Sequence, residues 1–105
     1  MFKLLKVSGS SLLPDYLDGD FVLTMRGFFG LSRKRFRKGN VVVFNHNQYG
    51  IMIKKVAGVS DDGTRLTVIG THPDSIDSRD FGPIHINDVI GKVIWHISHP
   101  AGGPN

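Results

Sequence analysis

Val41-Val42-Val43-Phe44 and Ile51-Met52-Ile53-Lys54-Lys55-Val56-Ala57 are the runs that most restrict this fold. The first holds three consecutive β-branched residues, which lose side-chain freedom in a helix and pack well on a pleated surface. With no polar residue to alternate, it reads as a strand buried on both faces or nearly so. Asn45 to Gly50 form a turn, and the second run resumes as a strand, so the two pair as a hairpin.

The rest of the chain repeats this theme. Met1 to Val7 reads as a first strand, and Phe21-Val22-Leu23-Thr24-Met25 follows the Asp18-Gly19-Asp20 turn as another. Asp61-Asp62-Gly63 turns into Arg65-Leu66-Thr67-Val68-Ile69. A loop over 70–83 leads to Ile84-His85-Ile86 and a last long strand, Val89 to Ile97. No segment sustains helical period over a helix's length, so the expected fold is all-β and mainly antiparallel, a barrel or coiled sheet with no long helix. At 105 residues the chain makes one domain, 1–98, with a disordered Gly/Pro tail over 99–105. A chain this size buries roughly two thirds of its unfolded surface.

With no cysteine, the sequence offers no disulfide framework and no thiolate metal site. No run approaches the roughly 20 apolar residues of a membrane-spanning helix. The net charge of +4 is unevenly spread, with Arg26, Arg33, Lys34, Arg35, Arg37 and Lys38 crowded into one segment. That segment, 26–40, reads as a long mobile loop that also carries Phe28 and Phe29. It is either a solvated loop or a contact for anions, nucleic acid or a membrane surface.

Three stretches carry possible chemistry. In Gly9-Ser10-Ser11-Leu12-Leu13-Pro14 a small-residue run meets two leucines and a proline that lacks a backbone donor. It reads as a helix start, or as a tight turn presenting a serine hydroxyl. In the second stretch, strand alternation puts Lys54 with Met52 and Val56, and Lys55 with Ile51, Ile53 and Ala57. At least one lysine therefore faces apolar neighbours, unless the strand lies at an edge. Neutralising an ordinary lysine at pH 7 costs about 4.6 kcal/mol, and burial alone can supply that. A neutral lysine beside a serine hydroxyl would make it a nucleophile. The third stretch, Gly70-Thr71-His72-Pro73-Asp74-Ser75-Ile76-Asp77-Ser78-Arg79-Asp80-Phe81-Gly82-Pro83, reads as a turn held by Asp77–Arg79 or Asp74–Arg79 pairing, or as the support of a site.

Together these stretches resemble the Ser-Lys signal peptidase family. Gly9 to Pro14 is similar to its Gly-x-Ser-Met-x-Pro box, with Leu12 in place of methionine. Met52 to Gly58 resembles its Ile-Lys-Arg-Val-x-Gly strand, and Gly39 to Phe44 its Gly-Asp-Val-Val-x-Phe strand, with Asn40 for aspartate. Val68-Ile69-Gly70 and Ser75 to Pro83 resemble its Gly-Asp-Asn…Ser-x-Asp-Ser-Arg-x-aromatic-Gly box, with Thr71-His72 for Asp-Asn. The resemblance spans about Val7 to Trp95 and lacks the family's anchor and large accessory domain. Among short forms it is most like the maturation proteases associated with nickel-type superoxide dismutase.

The resemblance implies an endopeptidase that removes an N-terminal leader or propeptide through an acyl-enzyme. Ser11 would be the nucleophile and Lys54 the general base, with Gly9 beside the oxyanion. Ser75 would orient the amine, and Asp77 and Arg79 would brace the loop. No metal or cofactor is implied. The substrate would bind as an added strand, with the basic loop touching a membrane surface or an acidic partner. Nucleic acid is the less expected partner, and the expected location is cytoplasmic or peripheral to a membrane. Two other functions fit parts of the chain. One is a non-catalytic β-domain that binds nucleic acid or anionic lipid; the other is a self-cleaving domain of the SOS-repressor type.

Overall fold

The structure, a computed structural model, describes residues 2–7, 19–25, 36–71 and 75–97. Seven strands form one sheet: β1 (Phe2–Lys6), β2 (Phe21–Met25), β3 (Val41–His46), β4 (Gly50–Val59), β5 (Arg65–Ile69), β6 (Ile84–His85) and β7 (Val89–Ile97). Their order is β1-β2-β7-β3-β4-β5-β6, and every adjacent pair is antiparallel. The all-β expectation is met. The loop over 70–83 differs in one respect, because Ser78–Phe81 forms a single-turn helix, α1. Four residues are too few to show a helical period, so its signal lies in its cap.

β3 owes its central place to composition. Val41, Val42, Val43 and Phe44 are all buried, as a run without polar alternation requires. β4 pairs with it in the register Val42↔Lys54 and Val43↔Ile53. The core gathers Val42, Phe44, Val56, Leu66, Val68 and Val89 on these middle strands. Phe36 belongs to it too, at 4% exposure.

Phe36 ties the end of the loop expected over 26–40 to the core. Residues 26–35, with Arg26, Arg33, Lys34 and Arg35, lie outside the described residues, as do residues 99–105. The stretch from Phe36 to Asn40 is fixed. Arg37 N–H donates to Asn40 Oδ1 at 2.8 Å, and the Gly39 and Val56 amides donate to Val56 and Asn40 carbonyls at 2.8 and 2.7 Å. Asn40 thus supplies a side-chain acceptor in this turn. Gly39 takes φ +96°, a region that costs an L side chain strain, which explains a glycine there. Arg37 and Lys38 are exposed.

β2 and β7 approach closely around a bulge between Leu23 and Thr24. Thr24 is buried, and its hydroxyl donates to the Lys3 carbonyl at 3.1 Å. A Cβ on Gly91 would stand 2.9 Å from Thr24 Cβ, closer than carbons tolerate. Gly91→Ala is therefore expected to destabilise the fold by about 1–3 kcal/mol through overpacking. In a Thr24→Gly background, which lacks the opposing Cβ and hydroxyl, the added methyl should cost less in urea unfolding. Equal stability of wild type and Gly91→Ala would show that the two strands separate freely.

Candidate functional site

Of the two lysines on β4, alternation sends one inward, and it is Lys54. Its residue is 1% exposed, as is Val56 two positions on, whereas Lys55 is only partly covered. Ile51, on the face of Lys55, is 68% exposed. β4 is an interior strand, flanked by β3 and β5, so the edge-strand explanation for a lysine there does not hold.

Burial dominates the chemistry of this amine. Desolvation pushes the Lys54 pKa below its ordinary 10.5, because a charged ammonium loses its water. Asp77 opposes that shift, Arg79 adds to it, and Asp80 opposes it more weakly. The three charged residues belong to one short segment, so the fold of that segment sets the field at the amine.

Asp77 organises the segment. Its side chain is fully buried and is the N-cap of α1. Oδ1 accepts from the Arg79 backbone N–H and from Arg79 Nε, both at 2.9 Å. Oδ2 accepts from Arg79 Nη2 and from the Gly70 N–H, both at 2.8 Å. Asp80 completes a capping box by accepting from the Asp77 N–H at 3.1 Å. The Ser78 hydroxyl accepts from the Val68 N–H at 2.8 Å. These bonds tie the helix start to the end of β5. Phe81 anchors the other end, its ring 4.5 Å from His46 and 6.3 Å from Phe44. Gly82 then terminates α1 at φ +82° and ψ −175°, a combination nearly reserved for glycine.

Of the expected site residues, the structure therefore brings Lys54, Asp77 and Arg79 into one electrostatic neighbourhood. Ser75 is half-buried just before Asp77. Ser11 and Gly9 lie outside the described residues, as do His72 and Asp74. The two ends of the segment 8–18 are visible, however. The Val7 N–H donates to the Asp20 carbonyl at 2.7 Å, and the Gly19 N–H donates to the Val7 carbonyl at 2.8 Å. Asp20 is 1% exposed, and its Oδ2 lies 2.6 Å from His96 Nε2 on β7.

Sequence reasoning passed over three of these contributors. Ser78 and Asp80 had a local signal, a short polar side chain within the first turn after a capping aspartate. The Asp20–His96 pair had none, because 76 positions separate its members. Among the described residues no cluster of acidic and histidine side chains suited to a metal ion occurs. No helix among them is long and apolar enough to cross a membrane.

The Asp77 carboxylate carries a measurable consequence. Burial disfavours its charged form and is the largest single influence. The Arg79 side-chain bonds, the Gly70 and Arg79 amides and the Arg79 charge together outweigh it, holding the pKa at about 2 against an ordinary 3.8. A depressed folded pKa contributes stability that is present above the unfolded value and lost as pH falls through the folded one. The contribution is about 2 kcal/mol at neutral pH, vanishing between about pH 4 and 2. Asp77→Asn should lower neutral-pH stability and flatten that part of the profile in urea titrations. An unchanged profile between pH 4 and 2 would show that the carboxylate is not what holds the turn.

The chain has a counterpart among known families. The family model described as Peptidase S24-like matches residues 2–94, which takes in every described strand almost to the end of β7. No curated protein matches the chain significantly. A match over that span, on a sheet built this way, places the chain in the Peptidase S24-like family.

Proposed function

We propose that this chain is a serine endopeptidase of the signal-peptidase type, working through a Ser11–Lys54 dyad. The observation that carries the reading is the buried amine of Lys54 on an interior strand, its pKa lowered by desolvation. A fold that merely needed a filled core would use methionine or leucine there and avoid the cost of burying an ammonium.

In this reading the neutral Lys54 amine takes the proton of Ser11 Oγ as the oxygen bonds to the scissile carbonyl carbon. The tetrahedral oxyanion rests on backbone N–H groups at Ser11 and near Gly9. Collapse breaks the C–N bond, and the Lys54 ammonium returns the proton to the departing amine. Water then hydrolyses the ester, with Lys54 again as base. Ser75 orients the amine, and Asp77 with Arg79 holds the loop that carries Ser75. The substrate is an extended N-terminal leader or propeptide with small residues before the cut, added to the sheet as a strand. This matches the work of the small maturation proteases that the Ser75–Pro83 box resembles.

Cleavage should be measured by mass spectrometry on a peptide library varied at the two residues before the cut. Ser11→Ala and Lys54→Ala should each lower kcat by about a thousandfold or more, in line with loss of a nucleophile or its base. Near wild-type turnover by either variant would sink the dyad. The sign of the pH dependence follows from the lowered Lys54 pKa. The amine is inactive while protonated, so kcat/KM should rise with pH and level off below the ordinary lysine value of 10.5.

The same burial yields an opposite effect on stability. Lys54→Met removes a desolvated amine while keeping most of its volume. It should gain about 1 kcal/mol, raising Tm by about 4–8 °C, while abolishing turnover. A lysine retained for packing alone would give a Lys54→Met variant that still cleaves.

A further inference from the structure

β1, β2 and β7 form one end of the sheet, and their register aligns apolar side chains on one face. One row across the three strands is Leu4, Leu23 and Trp95; the next is Lys6, Phe21 and Ile97; Phe2 pairs with Met25 on the other side. The exposures are large: Trp95 65%, Phe2 62%, Leu4 56% and Ile97 43%. The opposite face of β2 behaves differently, with Val22 and Thr24 each 1% exposed. Large apolar side chains thus project to solvent on a strand group whose central strand, β2, is already packed on its other side. A contiguous apolar face of this kind marks an interaction surface.

The charges beside it select the occupant. The three strands contain Lys3, Lys6 and Lys92 and not one aspartate or glutamate. Lys6 lies in the row of Phe21 and Ile97, and Lys92 in the row of Met25 and Phe2, on the apolar face itself, whereas Lys3 stands opposite Thr24 on the other side. A second copy packed face to face would bring these lysines together with no carboxylate on the face to meet them. Tryptophan, phenylalanine and aliphatic residues bordered by lysines instead complement the boundary of an anionic bilayer.

We propose that the Phe2–Leu4–Leu23–Trp95–Ile97 face docks this protein on an anionic lipid bilayer, with Trp95 and Phe2 at the level of the headgroups and Lys6 against lipid phosphates. The proposal does not depend on peptidase activity.

Trp95 is the chain's only tryptophan, so its emission reports on this face alone. With vesicles of phosphatidylcholine containing phosphatidylglycerol, the emission should shift to the blue and be quenched by lipids brominated high on the acyl chain. Vesicles of phosphatidylcholine alone should bind more weakly. Phe2→Ser and Leu4→Ser should each weaken co-sedimentation by about tenfold, the loss expected for one large apolar contact. Lys6→Gln should weaken it and reduce its salt dependence. Both apolar positions are exposed, and circular dichroism confirms folding of each variant. The tryptophan quenching on the unaltered protein decides the matter even where a variant fails to fold.

No co-sedimentation with anionic vesicles at low salt overturns the proposal. So does binding in which Trp95 stays unquenched and Phe2→Ser is without effect, which would assign the contact to the basic segment. Self-association in analytical ultracentrifugation that Leu4→Ser abolishes, without vesicle binding, would assign the face to a second copy and equally overturn it.

Discussion

The Asp77 carboxylate is the interaction on which the candidate site rests. A buried carboxylate is costly unless its lone pairs are used, and here two backbone amides and an arginine fork use them. The arrangement fixes three things at once. It starts α1, it holds the end of β5 through Gly70, and it places a permanent negative charge near Lys54. A four-residue helix has almost no stability of its own, since nucleation is unfavourable and too few bonds follow. Its persistence comes from the cap on one side and the Phe81 ring packed against the sheet on the other.

That charge bears on how Lys54 is tuned. Full desolvation with no compensating field would drive a lysine pKa down by several units. Asp77 and Asp80 favour the ammonium, Arg79 disfavours it, and the amine remains displaced downward. Arg79 neutralises Asp77 locally, so the lysine feels a paired carboxylate rather than a bare one. Removing the arginine would therefore do more than loosen a turn. It would expose Lys54 to the whole charge of Asp77 and restore its preference for a proton.

How much of this was legible in the sequence depends on the range over which each feature is encoded. β-Branched composition on β3 and alternation on β4 are local, and they gave the hairpin and the inward lysine as a choice of two. Strand order resolved that choice: an interior β4 removes the edge at which Lys54 could have reached water. The Asp77–Arg79 pair was one of two pairings open in a short polar stretch, whereas the helix it caps was too brief to leave a period. Phe36 was hidden by its neighbours. A lone aromatic among arginines and lysines reads as part of a loop, yet it is buried with the core. The apolar face of β1, β2 and β7 is divided among strands distant in sequence, so only their register assembles it. The Asp20–His96 contact lies beyond local patterns for the same reason.

β7 connects the two ends of the argument. Its successive side chains leave the strand on opposite sides, so Trp95 projects to the apolar face while His96 turns to Asp20. Asp20 in turn closes the backbone bonds that join Val7 to the start of β2, where segment 8–18 leaves the sheet and returns. The root of the segment bearing Ser11 is thus fastened to the strand whose other side is exposed to solvent. β7 also pairs with β3, which carries β4 and Lys54. A hydrogen-bonded ladder therefore runs from the root of the serine segment through β7 and β3 to the lysine. Sheets resist shear along such a ladder because a slip of one residue turns every side chain to the wrong face. A contact made by Trp95 with a bilayer would consequently be made by the same hydrogen-bonded unit that holds Lys54 and the root of segment 8–18, and it would orient that unit without deforming it.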